Sequence, residues 1–299
     1  MKHISVTELA KIWGVSERTV RNYCALGKIQ DAFLTGKTWN IPSNVERPHR
    51  TQKRTSHTLL ERLQDEKAAR VPGGLYHKIQ VDLTYTSNHI EGGQLTHDQV
   101  RYMFETNAIS VTKQRIKVDD IIEANNHFRC IDLIIEQAKR SITEKLIKQL
   151  HGVLKSGTSD SRKEWFAVGE YKKLPNEVGS RMPIAPEEAS AELAKLLYEY
   201  KGRSPKTLED LVEFHVRFER IHPFQDGNGR VGRLLLFKEC LRYDIVPFII
   251  SDDLNMVYYR GLSEWNDLKD YLMDTCLKEQ DRFRKVLEYY RITASSHRW

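Results

Sequence analysis

The sequence of 299 residues contains little that would support a disulfide framework, a zinc cluster or a membrane span. Its four cysteines lie far apart with no Cys-x-x-Cys pair, so neither a disulfide scaffold nor a cysteine zinc site is predicted. No apolar run approaches the roughly 18 residues of a membrane helix. With 40% hydrophobic and 29% charged residues, the composition is typical of an ordinary globular protein. We therefore expect a protein of the reducing cytoplasm without a membrane partner.

The net charge of +6 is carried entirely by the first sixth of the chain. Residues 1–54 contain ten Lys or Arg and four acids, whereas residues 55–299 contain 37 of each sign. This asymmetry predicts an acidic partner for residues 1–54, most simply DNA. A basic solvated face with a flexible linker would have the same composition.

The N-terminal segment has the pattern of two short helices followed by a hairpin. Thr7 is expected to cap a helix over 7–13, Gly14 to supply a turn, and Ser16 to cap a second helix over 17–26. Residues 33–42 predict a β-hairpin. The pattern resembles the winged helix-turn-helix of MerR- or excisionase-like domains, whose second helix enters the major groove. DNA contacts would then come from Arg18, Thr19, Arg21 and Asn22, and a small helical docking module is the alternative.

Beyond this segment the apolar periodicity is helical almost throughout. It predicts helices over 118–136, 141–155, 189–200 and 208–221, with a Pro- and Gly-rich hairpin or loop over 169–186. We expect a helix-turn-helix domain over 1–46, a basic linker over 47–57, N-terminal helices over 58–112 and a second, mainly α domain over 113–290. The fold class is therefore predicted to be mainly α.

The helix over 208–221 is followed by a loop, His222 to Arg233, that is rich in glycine and charge. Free amides at the start of a new helix attract anions, and glycines allow a ligand to approach the backbone closely. Arg230 and Arg233 could fork onto phosphate oxygens, and Asp226 offers a hard oxygen ligand for Mg²⁺. His222 ordinarily has a pKa close to neutrality, which suits a general base. The combination predicts a nucleotide phosphotransfer site.

The pattern His-x-Phe-x-Asp-Gly-Asn-Gly-Arg-x-x-Arg over 222–233 resembles the signature of the Fic domain family at every defining position. The resemblance extends over most of 75–285 and implies a Fic-type helical bundle with a small β-hairpin flap. It also implies transfer of AMP from ATP to a Ser, Thr or Tyr hydroxyl of a target protein. Both glycines of the loop are present, which favours adenylyl transfer over the phosphorylation done by Doc-like relatives.

The resemblance also implies individual roles. His222 would deprotonate the target hydroxyl, Asp226 would hold Mg²⁺, and Arg233 would bind the γ-phosphate. The amides of Gly227, Asn228 and Gly229 would stabilise the developing charge, and Asn228 would also orient the α-phosphate. The remaining predicted nucleotide-site residues are Arg230, Val231 and Gly232 on the loop, Val178, Gly179 and Ser180 on the flap, and Tyr258, Tyr259 and Asn266 around the adenosine. Ordinary core packing is the alternative for the two tyrosines.

Ser87 and Glu91, followed by Gly92, match the inhibitory motif of the same family, Ser/Thr-x-x-x-Glu-Gly/Asn. They share one face of a predicted helix over 82–91, because they are four residues apart. By similarity Glu91 would pair with Arg233 and withdraw it from the γ-phosphate. An ordinary surface glutamate beside a helix stop is the alternative.

Several functional alternatives use the same residues. The site could remove AMP instead of adding it, or the chain could be a DNA-binding regulator that only senses ATP. The enzyme could also modify itself and thereby change its DNA affinity. The sequence leaves open the target protein, another nucleotide donor, the DNA site and a homodimer.

Overall fold

The computed structural model describes residues 3–25, 27–47, 58–110, 115–177, 182–202 and 205–292. The chain divides into two compact units, residues 1–55 and 56–299. Each unit is described by itself.

The first unit combines two helices with a small antiparallel sheet. Its elements are β1 (His3–Ile4), α1 (Val6–Trp13), α2 (Glu17–Ala25), β2 (Phe33–Thr35) and β3 (Thr38–Pro42). β3 lies between β1 and β2, and Leu34 faces Trp39 across the β2–β3 hairpin. Its core is formed by α1, α2 and β3, whose Leu9, Val20 and Ile41 are almost fully buried in one cluster. Ile4 of β1 is partly buried against this cluster.

Helix α1 begins one residue before the predicted start because Ser5, not Thr7, is its cap. The Ser5 hydroxyl accepts from the Glu8 N–H at 3.2 Å, and the Glu8 carboxylate accepts from the Ser5 N–H at 2.9 Å. Thr7 instead donates its hydroxyl to Glu17 on α2 at 2.7 Å. Gly14 ends α1 with a φ of 62°, a left-handed conformation that favours glycine.

The second unit is built from helices, as the sequence predicts. They are α3 (Leu59–Ala69), α4 (Leu75–Ile90), α5 (His97–Thr106), α6 (Val118–Glu136), α7 (Glu144–Lys155), α8 (Pro186–Lys201), α9 (Leu208–Ile221), α10 (Asn228–Arg242), α11 (Asn255–Glu264) and α12 (Lys269–Tyr289). Short 3₁₀ turns lie at Asp160–Arg162 and Asp252–Leu254. No helix in the described part of the chain combines the length and apolar character needed to cross a membrane.

Helix α10 is the centre of the second unit. Every residue from Asn228 to Leu241 is buried, and the helix packs against α4, α6, α7 and α9. Its leucines lie between two apolar clusters, since Leu234 and Leu235 belong to one and Leu236 to the other. Because α10 is enclosed by other helices, the charged residues near its start must find partners inside the protein.

Several predicted boundaries in the second unit differ from the structure, and α8 covers Pro186–Lys201 where the sequence predicts a helix over 189–200. Helix α4 begins at Leu75, whereas the sequence predicts a start at 82. At the observed start, the Glu66 carboxylate accepts a hydrogen bond from the Tyr76 N–H at 2.8 Å. Helix α7 begins at Glu144, because the Thr143 hydroxyl caps it by accepting from the Leu146 N–H. The predicted flap hairpin has no strand in the described residues 169–177 and 182–186, and residues 178–181 lie outside the described part.

Candidate active site

The candidate site is the loop between α9 and α10, which is fixed at both ends. At the C-terminal end of α9, His222 has a φ of 50°, while its N–H still donates to the Phe218 carbonyl oxygen at 3.0 Å. At the other end Gly227 is the N-cap of α10 with a φ of 80°. Residues 222–227 therefore connect α9 to α10 by a sharp turn, and the first turn of α10 follows this loop directly.

Asn228 holds the middle of this loop in place. Its Oδ1 accepts from the Phe224 N–H and its Nδ2 donates to the Phe224 carbonyl, both at 2.8 Å. Phe224 is fully buried and stacks on the His151 ring at a centroid distance of 4.0 Å. Both polar atoms of the Asn228 amide thus bond to the loop itself, while its backbone N–H has no acceptor within the helix and is a group that a ligand could use. The predicted contact of its side chain with an α-phosphate stays a prediction.

The His222 side chain is neutral at pH 7. Burial, together with the Lys172 cation, lowers its pKa from the ordinary 6.5 to about 4, although the carboxylates of Glu91 and Asp226 act in the opposite direction. The sequence argument assumed an undisturbed pKa, and burial corrects that assumption. A neutral imidazole has a lone pair that can accept a proton, so the chemical role is retained.

Asp226 belongs to a network of buried charges that the sequence did not indicate. Its Oδ2 accepts from Lys155 Nζ at 2.6 Å and from Arg230 Nη2 at 3.3 Å. Burial alone would raise the pKa of Asp226, but the Arg230 and Lys155 cations hold it well below its usual range. The carboxylate is therefore ionised and available as an oxygen ligand.

Arg230 points into this network and not toward an open phosphate position. It is 3% exposed, and its Nη1 donates to Glu123 and, at 3.4 Å, to Asn88 Oδ1. With Asp226 as a further partner, its guanidinium neutralises two carboxylates. A contact with phosphate would require the guanidinium to leave these partners, and the predicted role of Arg230 stays a prediction.

Arg233 is held by the C-terminal end of α4. Its Nε donates to Ser87 Oγ at 3.0 Å, and its Nη2 donates to the Ser87 carbonyl at 2.9 Å and to Glu91 Oε1 at 2.8 Å. Burial would lower the pKa of Arg233, but the Glu91 carboxylate outweighs that effect and raises it. Arg233, the predicted γ-phosphate ligand, is thus hydrogen-bonded to both residues of the predicted inhibitory motif, and its contact with Glu91 is an ion pair.

The Glu91 carboxylate also lies against the first turn of α10. A Cβ added to Gly229 would collide with Glu91 Oε1 and lie 2.9 Å from Arg233 Nη1. The amides of this turn have no acceptor within the helix and favour negative charge. A carboxylate of the protein itself therefore lies beside the predicted phosphate cradle.

The predicted adenosine residues are placed differently from one another. Tyr258 is 1% exposed and hydrogen-bonds His215 Nε2 through its hydroxyl at 2.6 Å, so its position is that of a core residue. Tyr259 is 41% exposed and donates to the Ile90 carbonyl at 3.4 Å. Asn266 lies at the surface, where its Oδ1 accepts from Arg220 at 2.6 Å.

Val231 and Gly232 support the packing of α10. Val231 is fully buried in the larger apolar cluster. A Cβ added to Gly232 would collide with Glu219 Oε1 and lie 2.9 Å from His215 Cε1, so the glycine allows α9 and α10 to approach each other closely. Neither residue presents a side chain to the loop.

The segment before the predicted flap is bonded directly to the loop. The Lys172 N–H donates to the Pro223 carbonyl at 2.9 Å, and Asn176 Nδ2 donates to the Phe224 carbonyl at 3.2 Å. Lys172 is 4% exposed, its Nζ donates to Asn176 Oδ1 at 2.8 Å, and burial lowers its pKa. The predicted flap residues Val178, Gly179 and Ser180 lie outside the described part of the chain.

Sequence reasoning missed Glu123, Lys155 and Lys172. A signal existed for Lys155, because it falls on the apolar face of α7 with Ile147 and His151. A lysine on a buried face is rare unless its charge is paired. Glu123 and Lys172 gave no comparable signal, since their neighbourhood depends on distant segments.

In the first unit, the predicted DNA-contacting residues lie on α2. Arg18, Arg21 and Asn22 are exposed, whereas Thr19 is half-buried and its hydroxyl lies 2.9 Å from Ser16 Oγ. Arg21 donates to Glu17 at 2.7 Å.

Known proteins are similar to this chain in sequence. Over 194 residues the chain is 26% identical to "Protein adenylyltransferase Fic" of Nematostella vectensis, covering 63% of this chain and 44% of that protein. The protein of the same name from Drosophila mojavensis is 27% identical over 192 residues, which cover 61% and 36% of the two chains. The chain therefore spans less than half the length of these curated relatives.

Solved structures show the same fold. A Fic domain containing signaling protein of Bacteroides thetaiotaomicron aligns with a TM-score of 0.62 and 24% identity, covering 77% of this chain and 94% of the other. A fragment of Fic-1 from Caenorhabditis elegans aligns with a TM-score of 0.58 and 19% identity, covering 78% and 71%.

The fold and site define a helical protein that presents a glycine-rich, anion-attracting loop between two core helices. Residues 141–239, which include this loop and all but the last three residues of α10, match the model of the Fic/DOC family. Residues 141–239 of this chain therefore carry a Fic domain.

Proposed function

We propose that the chain transfers AMP from ATP to a hydroxyl side chain of a target protein and that Glu91 inhibits this reaction in the resting protein. The proposal is supported by the relatives named protein adenylyltransferase Fic. The observation that carries it is one loop on which a neutral His222, an ionised Asp226 and the first turn of α10, whose N-cap makes no side-chain hydrogen bond, occur together.

His222 would take the proton of the target hydroxyl as the hydroxyl oxygen attacks the α-phosphate of ATP. A bond then forms between that oxygen and the α-phosphorus, and the bond to pyrophosphate breaks. A pKa of about 4 makes His222 a weak base in the free protein, and the negative charge of a bound triphosphate would raise that pKa. The N–H groups of Gly227, Asn228 and Gly229 would stabilise the charge on the phosphate oxygens.

Asp226 is the residue that would hold Mg²⁺. Its side chain is 45% exposed although Oδ2 contacts two cations, and Mg²⁺ in proteins often uses one carboxylate together with substrate phosphates. The residues present therefore fit an ion that is delivered with a nucleotide. When bound, Mg²⁺ would neutralise phosphate charge and favour the departure of pyrophosphate.

Inhibition would follow from competition for Arg233. The Glu91 carboxylate pairs with this guanidinium at 2.8 Å, with the arginine side chain only 5% exposed. A γ-phosphate would need the same N–H donors, so ATP would bind without its preferred anchor. Breaking one side of a buried ion pair costs about 3–5 kcal/mol, which is enough to hold the resting state.

The proposal is tested by incubating the protein with ATP labelled on the α-phosphate and following label on protein. Glu91→Gly should incorporate far more AMP than the wild type, and adding His222→Ala to Glu91→Gly should abolish incorporation. His77→Ala in the same background is a matched control, because His77 pairs with Glu105 away from the loop. Retained incorporation in the His222→Ala variant would refute the proposed base.

DNA binding by the first unit is a second proposed activity, supported by the exposed Arg18, Arg21 and Asn22 on α2. In fluorescence anisotropy with a DNA duplex of mixed sequence, Arg18→Ala should weaken binding. The slope of log affinity against log salt concentration should decrease in magnitude by about one. Lys11→Ala on α1 is the control and should change affinity little. Equal loss in both variants would indicate non-specific charge attraction.

A further inference from the structure

Lys155 is a buried cation among three carboxylates. Its Nζ donates to Glu123 Oε1 at 2.5 Å, to Asp226 Oδ2 at 2.6 Å and to Asp160 Oδ2 at 3.2 Å. An ammonium group has three N–H donors, so these acceptors satisfy all of them. The side chain is 2% exposed.

Two further groups surround the Lys155 ammonium and its carboxylate partners. The Lys155 ammonium also lies 5.5 Å from the centre of the Phe166 ring, and the Arg230 guanidinium closes the other side of Glu123 and Asp226. All three N–H donors of Lys155 meet carboxylate oxygens, an environment that favours the charged ammonium form. The lysine is therefore a permanent positive charge beside the loop.

The positive charge acts on the carboxylate that would hold Mg²⁺. Both cations contact the same oxygen of Asp226, Oδ2, while the side chain remains 45% exposed. A divalent ion approaching the exposed side of Asp226 would meet a carboxylate whose charge is already neutralised. It would also be repelled by two cations across a region of low dielectric.

We propose that Lys155 keeps the divalent-cation affinity of Asp226 low, so that the ion is retained only together with nucleotide phosphates. Lys155 is thus a positioning residue: it fixes Asp226 and sets the order in which cation and nucleotide can bind. Lys155 and Arg230 neutralise the charge of Asp226, and the phosphate oxygens of a bound nucleotide would supply the negative charge that the ion then needs. The inference rests on the proposed function, because it takes Asp226 as the cation ligand.

Mn²⁺ is a suitable probe, because its binding can be followed by electron paramagnetic resonance without any turnover. The nucleotide-free wild type should bind Mn²⁺ weakly, and Lys155→Met should bind it at least about tenfold more tightly, since one cation near Asp226 is removed. Adding Asp226→Asn to Lys155→Met should abolish the gain. Lys148→Met, on the same helix but paired with Glu144 and Glu170, is the matched control and should resemble the wild type.

Glu123→Gln provides an independent test that does not depend on whether Lys155→Met folds. Without Glu123 the charges of Lys155 and Arg230 are less compensated, so Mn²⁺ affinity in the presence of ADP should fall. Thermal melting would establish that each variant is folded. Tight Mn²⁺ binding by the nucleotide-free wild type, or equal affinity in all variants, would overturn the inference. Absence of AMP transfer by Glu91→Gly, with Mn²⁺ affinities changing as expected, would refute the proposed function alone.

Discussion

Arg233 on α10 and Glu91 at the end of α4 form an ion pair at 2.8 Å, although 142 residues separate them in sequence. Ser87 completes the arrangement, because its hydroxyl and its carbonyl accept two further hydrogen bonds from the same guanidinium. These three hydrogen bonds of the guanidinium all come from one turn at the end of α4, so a shift of that turn would break them together.

Nucleotide discrimination provides the first prediction. In the wild type, ATP and ADP should bind with similar affinity, because Arg233 is engaged by Glu91. In Glu91→Gly the guanidinium is free for the γ-phosphate, and ATP should bind at least about tenfold more tightly than ADP, as expected for a charge-assisted contact. Isothermal titration calorimetry with a non-hydrolysable ATP analogue would measure this ratio.

Ser87→Ala is the control for that experiment, because it removes one acceptor but keeps the Glu91 carboxylate. Its ATP-to-ADP ratio should remain close to the wild-type ratio. The same ratio in Glu91→Gly as in the wild type would contradict the role of Arg233.

Acid stability provides the second prediction. Burial lowers the pKa of His127, His151 and His215 to about 3 and that of His222 to about 4. Between pH 6.5 and about 4 the unfolded chain therefore binds protons on these rings that the native protein does not. Stability should fall with decreasing pH in this window, by up to about 1.4 kcal/mol per histidine and pH unit.

Urea unfolding at a series of pH values would measure that slope. His151→Phe retains a ring against Phe224 and removes one titrating group, so the slope below pH 6.5 should decrease by about one proton. An unchanged slope would show that His151 does not contribute.

The third prediction concerns the base. The Lys172 cation helps to lower the pKa of His222, so Lys172→Met should raise that pKa toward its ordinary value. The acid limb of kcat/KM in the Glu91→Gly background should move to higher pH by a corresponding amount. Lys173→Met is the matched control, because this neighbouring lysine is exposed and donates to the Glu164 carbonyl. A shift of equal size in both variants would point to a general charge effect.

The fourth prediction is a double-mutant cycle at the start of α10. Gly229→Ala should destabilise the wild type by about 1–3 kcal/mol, because its Cβ would collide with the Glu91 carboxylate that Arg233 holds in place. In Glu91→Gly the obstructing atom is absent, and the cost should decrease by about 1 kcal/mol or more. Denaturant unfolding would measure all four proteins.

Gly232→Ala is the control for the cycle, because its Cβ would collide with Glu219 and approach His215 instead. Its cost should be the same in both backgrounds. Equal costs for Gly229→Ala in both backgrounds would exclude the predicted coupling.

Much of the architecture followed from local patterns. The apolar spacing predicted α6 over 118–136 and α9 over 208–221 with the bounds that the structure has. Caps were predicted less well, because Ser5 and Thr7 are both suitable residues and only the contact of Thr7 with Glu17 distinguishes them. The long α4 was also missed in part, since its start depends on Glu66 of another helix.

The sequence by itself determined the helical class, the loop from His222 to Arg233 and the family that this loop resembles. These are properties of neighbouring residues, whose spacing fixes helix faces, turns and the first amides of a helix. Only the tertiary structure decided that Arg230 turns inward, that Lys155 reaches Asp226 and that burial lowers the pKa of His222. The physical reason is that charge pairing and desolvation depend on which distant segments enclose a group, and sequence spacing carries no record of that enclosure.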